Sequence, residues 1–114
     1  MRHFLVVEDE PQLNQAICAL VRRLDWDPIS CLSGEEALTA LKRGSTPIQG
    51  ALIDLRLPNC SGIEVARRLR TLHPNLPILV TSGAPTDSQG TLPFLPKPFG
   101  LQELRTALLG IGLS

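Results

Sequence analysis

The sequence has no net charge, because eleven basic side chains cancel eleven acidic ones. A domain that wraps nucleic acid through phosphate contacts shows a basic excess, so nucleic acid is not an expected partner. Long apolar runs are missing too. After Met1-Arg2-His3 the chain offers only four apolar residues, 4–7, before an acidic cluster. That stretch is too short for a signal peptide or a membrane span. Cysteine is scarce: Cys18, Cys31 and Cys60 are odd in number and lack C-x-x-C spacing. They form neither a metal knuckle nor a disulfide framework, and reduced thiols in a cytoplasmic protein are the simple reading. No G-x-G-x-x-G loop follows any apolar run, which excludes the usual dinucleotide fingerprint. No repeat, low-complexity tract or linker breaks the middle, so residues 1–114 are expected to form one domain.

What is present is a core. Hydrophobic residues make up 43% of the chain, enough to fold without disulfides or a structural metal. Short apolar runs alternate with segments of helical period, the mark of βα units around a parallel sheet. Strands are expected at 4–7, 28–32, 51–53, 78–80 and 92–95. Leu13, Ile17, Leu20, Val21 and Leu24 recur at helical spacing after Pro11, a residue suited to a first turn. Ser33 with Glu36, and Ser61 with Glu64, fit capping boxes. The first opens a helix through Ala37, Leu38 and Leu41 that stops at Gly44; the second opens one striped by Ile63, Ala66, Leu69 and Leu72. A last helix is expected over 101–109. Arg67, Arg68 and Arg70 read as a solvated face, and Trp26 as a turn residue that packs or lies partly exposed.

Proline cannot donate to a sheet ladder and is tolerated at edges and strand starts. Pro28 lies in the second run, and Pro93 and Pro96 lie in or beside the fifth, while the other three contain none. Edge positions for the second and fifth strands match an α/β, flavodoxin-like sheet of order 2-1-3-4-5.

Polar residues stand where the apolar runs end: Glu8 and Asp9 after the first, Asp54 after the third, Thr81 and Ser82 after the fourth, Lys97 after the fifth. Open α/β sheets bind ligands outside the carboxyl ends of their strands where the order reverses, here between the first and third. Glu8, Asp9 and Asp54 are therefore expected to converge. Crowded carboxylates resist ionisation unless a positive charge sits among them, and an all-oxygen site suits Mg²⁺. Lys97 adds a cation on a flexible stem, and Ser82 a hydroxyl. A carboxylate nucleophile with these neighbours is a reasonable set for forming an aspartyl phosphate. Taken singly, Asp9 could as well cap the helix that Pro11 begins, Lys97 could be a surface lysine, and Thr81 and Ser82 turn residues.

Four stretches carry a resemblance: residues 4–10 (FLVVEDE), 54–58 (DLRLP) followed by Gly62, 78–83 (ILVTSG) and 95–99 (LPKPF). Together the chain resembles the receiver domain of bacterial two-component response regulators over essentially its whole length. The resemblance implies that Asp54 is the phosphoacceptor and that Glu8, Asp9, Asp54 and the backbone carbonyl of Arg56 hold Mg²⁺. It also implies that Lys97 contacts the phosphoryl group and that Ser82 and Phe94 are the switch residues, with Thr81 inward. Lys97-Pro98 is expected to be cis. The implied donor is the phosphohistidine of a histidine kinase or phosphotransfer protein, and the implied output is a downstream protein target or a fused output domain. Transfer and slow hydrolysis would be self-catalysed, with Arg56 and Ala84 at the positions that tune hydrolysis, so the chain is not a turnover enzyme.

The stretch between Gly83 and Phe94 is shorter than the family usual by roughly two helical turns. Residues 84–91 offer almost nothing apolar to dock a helix, so a loop or single turn is expected in place of a fourth helix. Three other readings compete. A phosphatase of haloacid dehalogenase type needs a second aspartate where Arg56 stands, and a cap domain. A flavodoxin-like nucleotide binder needs the missing glycine loop. A pseudo-receiver, an interaction module that is never phosphorylated, would not need the full acidic set. The chain reaches just past its last helix, so no output domain is expected within it.

Overall fold

The computed structural model describes residues 2–44, 46–84 and 90–114. In chain order the elements are β1 (His3–Val7), α1 (Pro11–Arg23), β2 (Asp27–Cys31), α2 (Gly34–Arg43), β3 (Ile48–Asp54), α3 (Gly62–Leu72), β4 (Ile78–Ser82), β5 (Phe94–Pro96) and α4 (Leu101–Gly110). The five strands form one parallel sheet of order β2-β1-β3-β4-β5, a flavodoxin-like α/β fold. Pro28 and Pro96 do lie on the two edge strands, where a missing N–H costs least.

Side chains alternate across the pleat and seal both faces. Leu5, Val7, Ile53 and Val80 pack on one side against Ala37 and Leu38 of α2 and Val65 and Leu69 of α3. Phe4, Val6, Leu52 and Leu79 pack on the other against Ile17 and Val21 of α1 and Leu104 and Leu108 of α4. Trp26 belongs to that second core, 4% exposed, with its ring 5.8 Å from Phe4 and the Arg2 guanidinium 3.8 Å over its face.

The caps sit where serine and glycine place them. Ser33 Oγ accepts from the Glu36 N–H at 3.1 Å, and Ser61 Oγ from the Glu64 N–H at 3.2 Å. Each such cap is worth about 1 kcal/mol. Gly44 closes α2 at φ +63°, a left-handed conformation that a Cβ disfavours.

Several boundaries differ from expectation. β5 starts at Phe94, not at residue 92, because Pro93 can give the ladder only its carbonyl, which accepts from the Val80 N–H at 2.9 Å. β3 starts three residues early, at Ile48, which is buried and pairs with His3. β4 carries Thr81 and Ser82 inside the strand. The α3 stripe is Val65, Ala66 and Leu69, whereas Ile63 and Leu72 stand 36% and 45% exposed. The expected loop over 84–91 falls mainly on residues 85–89, which lie outside the described residues. Among the described residues, no helix is long and apolar enough to cross a membrane.

The three thiols are free. Burial pushes Cys31 up to about 12 and raises Cys18 as well, whereas Cys60 is only half-buried. Alkylation by iodoacetamide under native conditions is expected to label Cys60, with Cys18 and Cys31 labelled only in denaturant; peptide mass mapping reads the order. Equal labelling of Cys31 in the folded protein would show that β2 opens far more readily than its packing implies.

Candidate functional site

The sheet brings Glu8, Asp9 and Asp54 to one end, with one carboxylate oxygen from each lying within 4.8 Å of the others. Glu8 follows β1 and is 2% exposed; Asp54 ends the adjacent β3 and is 5% exposed. Lys97, just past β5, reaches across β4 to both. Its Nζ donates to Glu8 Oε1 at 2.6 Å and to Asp54 Oδ2 at 2.8 Å. The remaining oxygens are held by backbone: Glu8 Oε2 accepts from the Glu10 N–H at 3.1 Å, and Asp54 Oδ1 from the Arg56 N–H at 2.9 Å. The residue standing where a phosphatase would need its second aspartate thus steadies Asp54 through its backbone.

Electrostatics follow from that crowding. Burial raises the Glu8 carboxyl; the bonds from Lys97 and the Glu10 N–H pull against it, and the nearby Asp54 adds to the rise. Burial pushes Lys97 down, but its bonds to Asp54 and Glu8 outweigh this and leave it raised. Among the described residues, the Lys97 ammonium pairs with two of the three clustered carboxylates, Glu8 and Asp54, and the third, Asp9, adds a further negative charge. A hard divalent cation with oxygen ligands fits this donor set.

The other expected residues divide. Thr81 is inward: its Oγ1 donates to the Leu95 carbonyl at 2.6 Å, tying β4 to β5. Ser82 is buried and pairs with Pro96; its carbonyl accepts from the Lys97 N–H at 3.0 Å and its Oγ from the Ala84 N–H at 3.1 Å. Phe94 is partly buried against the α2–α3 side of the core. Lys97-Pro98 is cis. A groove of about 380 Å³ borders Lys97, lined by Leu13, Ile17 and Leu20 of α1 with Pro98 and Phe99.

Gly62 fixes the loop that follows Asp54. An added Cβ would lie 2.4 Å from the Asp54 carbonyl oxygen and 2.7 Å from Leu55 Cα, and the Gly62 N–H donates to the Leu55 carbonyl at 2.9 Å. Backbone cannot yield as a side-chain tip does. Gly62→Ala is therefore expected to cost about 1–3 kcal/mol in urea unfolding and to shift the Asp54 amide in NMR. An unchanged midpoint would mean that the loop has slack.

Sequence reading missed Asn14. The amide is fully buried and bonds to the backbone of both β1 and β2. Its polarity argued for the solvent face; its offsets of three and seven residues from Ile17 and Val21, which put it on the inward stripe of the helix, were the signal that could have found it.

Comparison with known proteins agrees with this architecture. The sequence model described as response regulator receiver domain matches residues 4–109. The probable transcriptional regulatory protein TcrX of Mycobacterium tuberculosis is 30% identical over 107 residues, covering 88% of this chain and 45% of TcrX. This chain therefore spans less than half the length of that relative. The receiver protein of Sinorhizobium medicae is 28% identical with TM-score 0.84, covering 96% of this chain and 93% of that one. TrrA of Thermotoga maritima shares the fold at 24% identity and TM-score 0.83, covering 97% of this chain and 99% of its own; it has been solved in complex with Mg²⁺–BeF and, separately, with the histidine kinase ThkA. On the strength of the match across 4–109, the chain belongs to the response regulator receiver domain family of two-component systems.

Proposed function

We propose that residues 1–114 act as one phosphoacceptor switch in a two-component phosphorelay, with Asp54 accepting a phosphoryl group from the phosphohistidine of a histidine kinase or phosphotransfer protein. The observation that carries this reading is Lys97 Nζ, held at 2.6 Å from Glu8 and 2.8 Å from Asp54 inside a cluster of three carboxylates. A structural ion pair needs one partner for each charge, whereas this cluster keeps surplus anionic oxygens at a strand end.

Glu8, Asp9, Asp54 and the carbonyl of Arg56 are the groups that would hold Mg²⁺. When bound, the cation would neutralise charge on the phosphoryl oxygens. An Asp54 carboxylate oxygen attacks phosphorus as the P–N bond of the donor breaks, and the imidazole leaves with the electron pair. The Arg56 N–H keeps one oxygen of Asp54 oriented during the approach. Lys97 moves its ammonium from the carboxylates to the arriving phosphoryl oxygens, where charge then accumulates. Ser82 gives its hydroxyl to another of those oxygens, and Phe94 turns inward behind it, changing the interaction surface read by a downstream protein or a fused output domain. The donor seats in the apolar groove beside Lys97. The TrrA complexes with Mg²⁺–BeF and with ThkA support the same cofactor and partner classes here. A cytoplasmic location goes with that partner.

Incubation with acetyl phosphate and MgCl₂, followed by intact mass, tests the reading. One added phosphoryl group is expected, lost on hydroxylamine treatment and absent when EDTA replaces the metal. No adduct at any metal concentration would favour the pseudo-receiver.

A further inference from the structure

We propose that Asn14 is a positioning residue that sets the aim of the acidic pair. The inference rests on the reading of Glu8 and Asp9 as working carboxylates, and concerns what holds their backbone in place.

Asn14 has no exposed surface, and its amide uses both of its chemical halves. Nδ2 donates to the Glu8 carbonyl at 3.0 Å and the Cys31 carbonyl at 3.0 Å, with a longer contact of 3.4 Å to the Val6 carbonyl. Oδ1 accepts from Ser30 Oγ at 2.6 Å and from Cys18 Sγ at 3.3 Å. The Cys31 carbonyl also accepts from the Glu8 N–H at 3.0 Å. Glu8 is therefore gripped on both sides of its Cα: its N–H by the end of β2, its C=O by a side chain of α1. Three elements meet at the residue whose carboxylate Lys97 bridges to Asp54.

Only a carboxamide serves here. It offers two N–H groups to two carbonyls and two lone pairs to two donors, whereas a carboxylate would set oxygen against the carbonyls of Glu8 and Cys31. An apolar residue of similar volume would leave the Glu8 carbonyl buried without this partner. The turn carrying Glu8 and Asp9 would then be free to rotate their carboxylates away from Asp54.

The test compares wild type, Asn14→Leu and Ser30→Ala as full chains, by calorimetric titration with MgCl₂ and by amide hydrogen exchange. In Asn14→Leu, Mg²⁺ affinity is expected to fall about tenfold, as for other groups that orient metal ligands. Exchange at the Glu8 amide should accelerate relative to Leu5 and Val6 of the preceding β1. Ser30→Ala, at an exposed edge position, should move both in the same direction by less. A variant that melts earlier but keeps both the affinity and the relative exchange at Glu8 would overturn the proposal and leave Asn14 merely structural. If wild type takes up no Mg²⁺, it is the metal reading that fails; exchange then decides for Asn14 alone, and unchanged protection of Glu8 overturns it. If Asn14→Leu does not fold, Ser30→Ala decides the matter by the same two measurements, and no change in either overturns the proposal.

Discussion

Replacing Asp54 by Asn is expected to abolish incorporation of the phosphoryl group while leaving the chain folded. The substitution keeps the shape of a buried side chain, and its Oδ1 can still accept from the Arg56 N–H. What disappears is the anionic oxygen that faces Lys97 at 2.8 Å and would attack phosphorus. A neutral amide oxygen is a far weaker nucleophile, so the loss should be complete within the sensitivity of intact mass. Stability should move by only about 1 kcal/mol, since Lys97 keeps Glu8 and one mutual carboxylate repulsion is removed. Thermal unfolding beside the labelling assay separates a dead nucleophile from a broken fold. Undiminished labelling in the folded variant would put the acceptor elsewhere.

The second large effect is expected at Lys97. In Lys97→Met the Glu8 and Asp54 side chains, 3% and 7% exposed, would face each other without their cation. Breaking a buried pair from one side costs about 3–5 kcal/mol, and the pair here is buried enough for the lower figure to apply without metal. Saturating Mg²⁺ should restore most of that loss by supplying the missing charge, so unfolding in urea with EDTA and with MgCl₂ reads the effect directly. Equal destabilisation in both media would mean that the lysine contributes by packing its stem.

The pH profile gives a second reading of the same pair. Burial raises the Glu8 carboxyl, so the native state favours its protonated form; its contribution is complete below the ordinary value of 4.5 and is lost as pH climbs through the raised native value. Without Lys97 to oppose that rise, the destabilisation of Lys97→Met should shrink in mild acid. For Lys97, burial acts downward but the bonds to Asp54 and Glu8 dominate. Its stabilisation is therefore present below the ordinary 10.5 and fades as pH rises through the higher native value. Cys31, raised to about 12 by burial, loses native stability as pH passes 9.0 in both proteins, so the difference between wild type and variant isolates the lysine.

Much of this arrangement could be read locally. Ser33, Ser61 and Gly44 mark helix ends because their chemistry acts within three residues, and the prolines of the second and fifth runs mark sheet edges because an absent N–H is fatal inside. The convergence of Glu8, Asp9, Asp54 and Lys97 followed from counting polar residues at strand ends. Contacts made at a distance were opaque. Nothing near Ile48 announces that β3 reaches back to pair with His3, and Ile63 looks as apolar as Val65 although only the latter turns inward. Asn14 is the sharpest case: its partners on the two strands lie 8, 16 and 17 residues away, and although helical spacing turns it inward, nothing local shows that its amide crosslinks those strands.

β5 is the shortest of the described strands, registered to β4 at three positions and flanked or interrupted by two residues that cannot donate. Segments with few ladder bonds open most cheaply, while β1 and β3 lie deep between two cores. The cation of the site is thus mounted on its weakest support and the acids on its strongest. A displacement of Lys97 would therefore load that short edge before it reached β1 and β3, with the Thr81 hydroxyl joining the edge to β4.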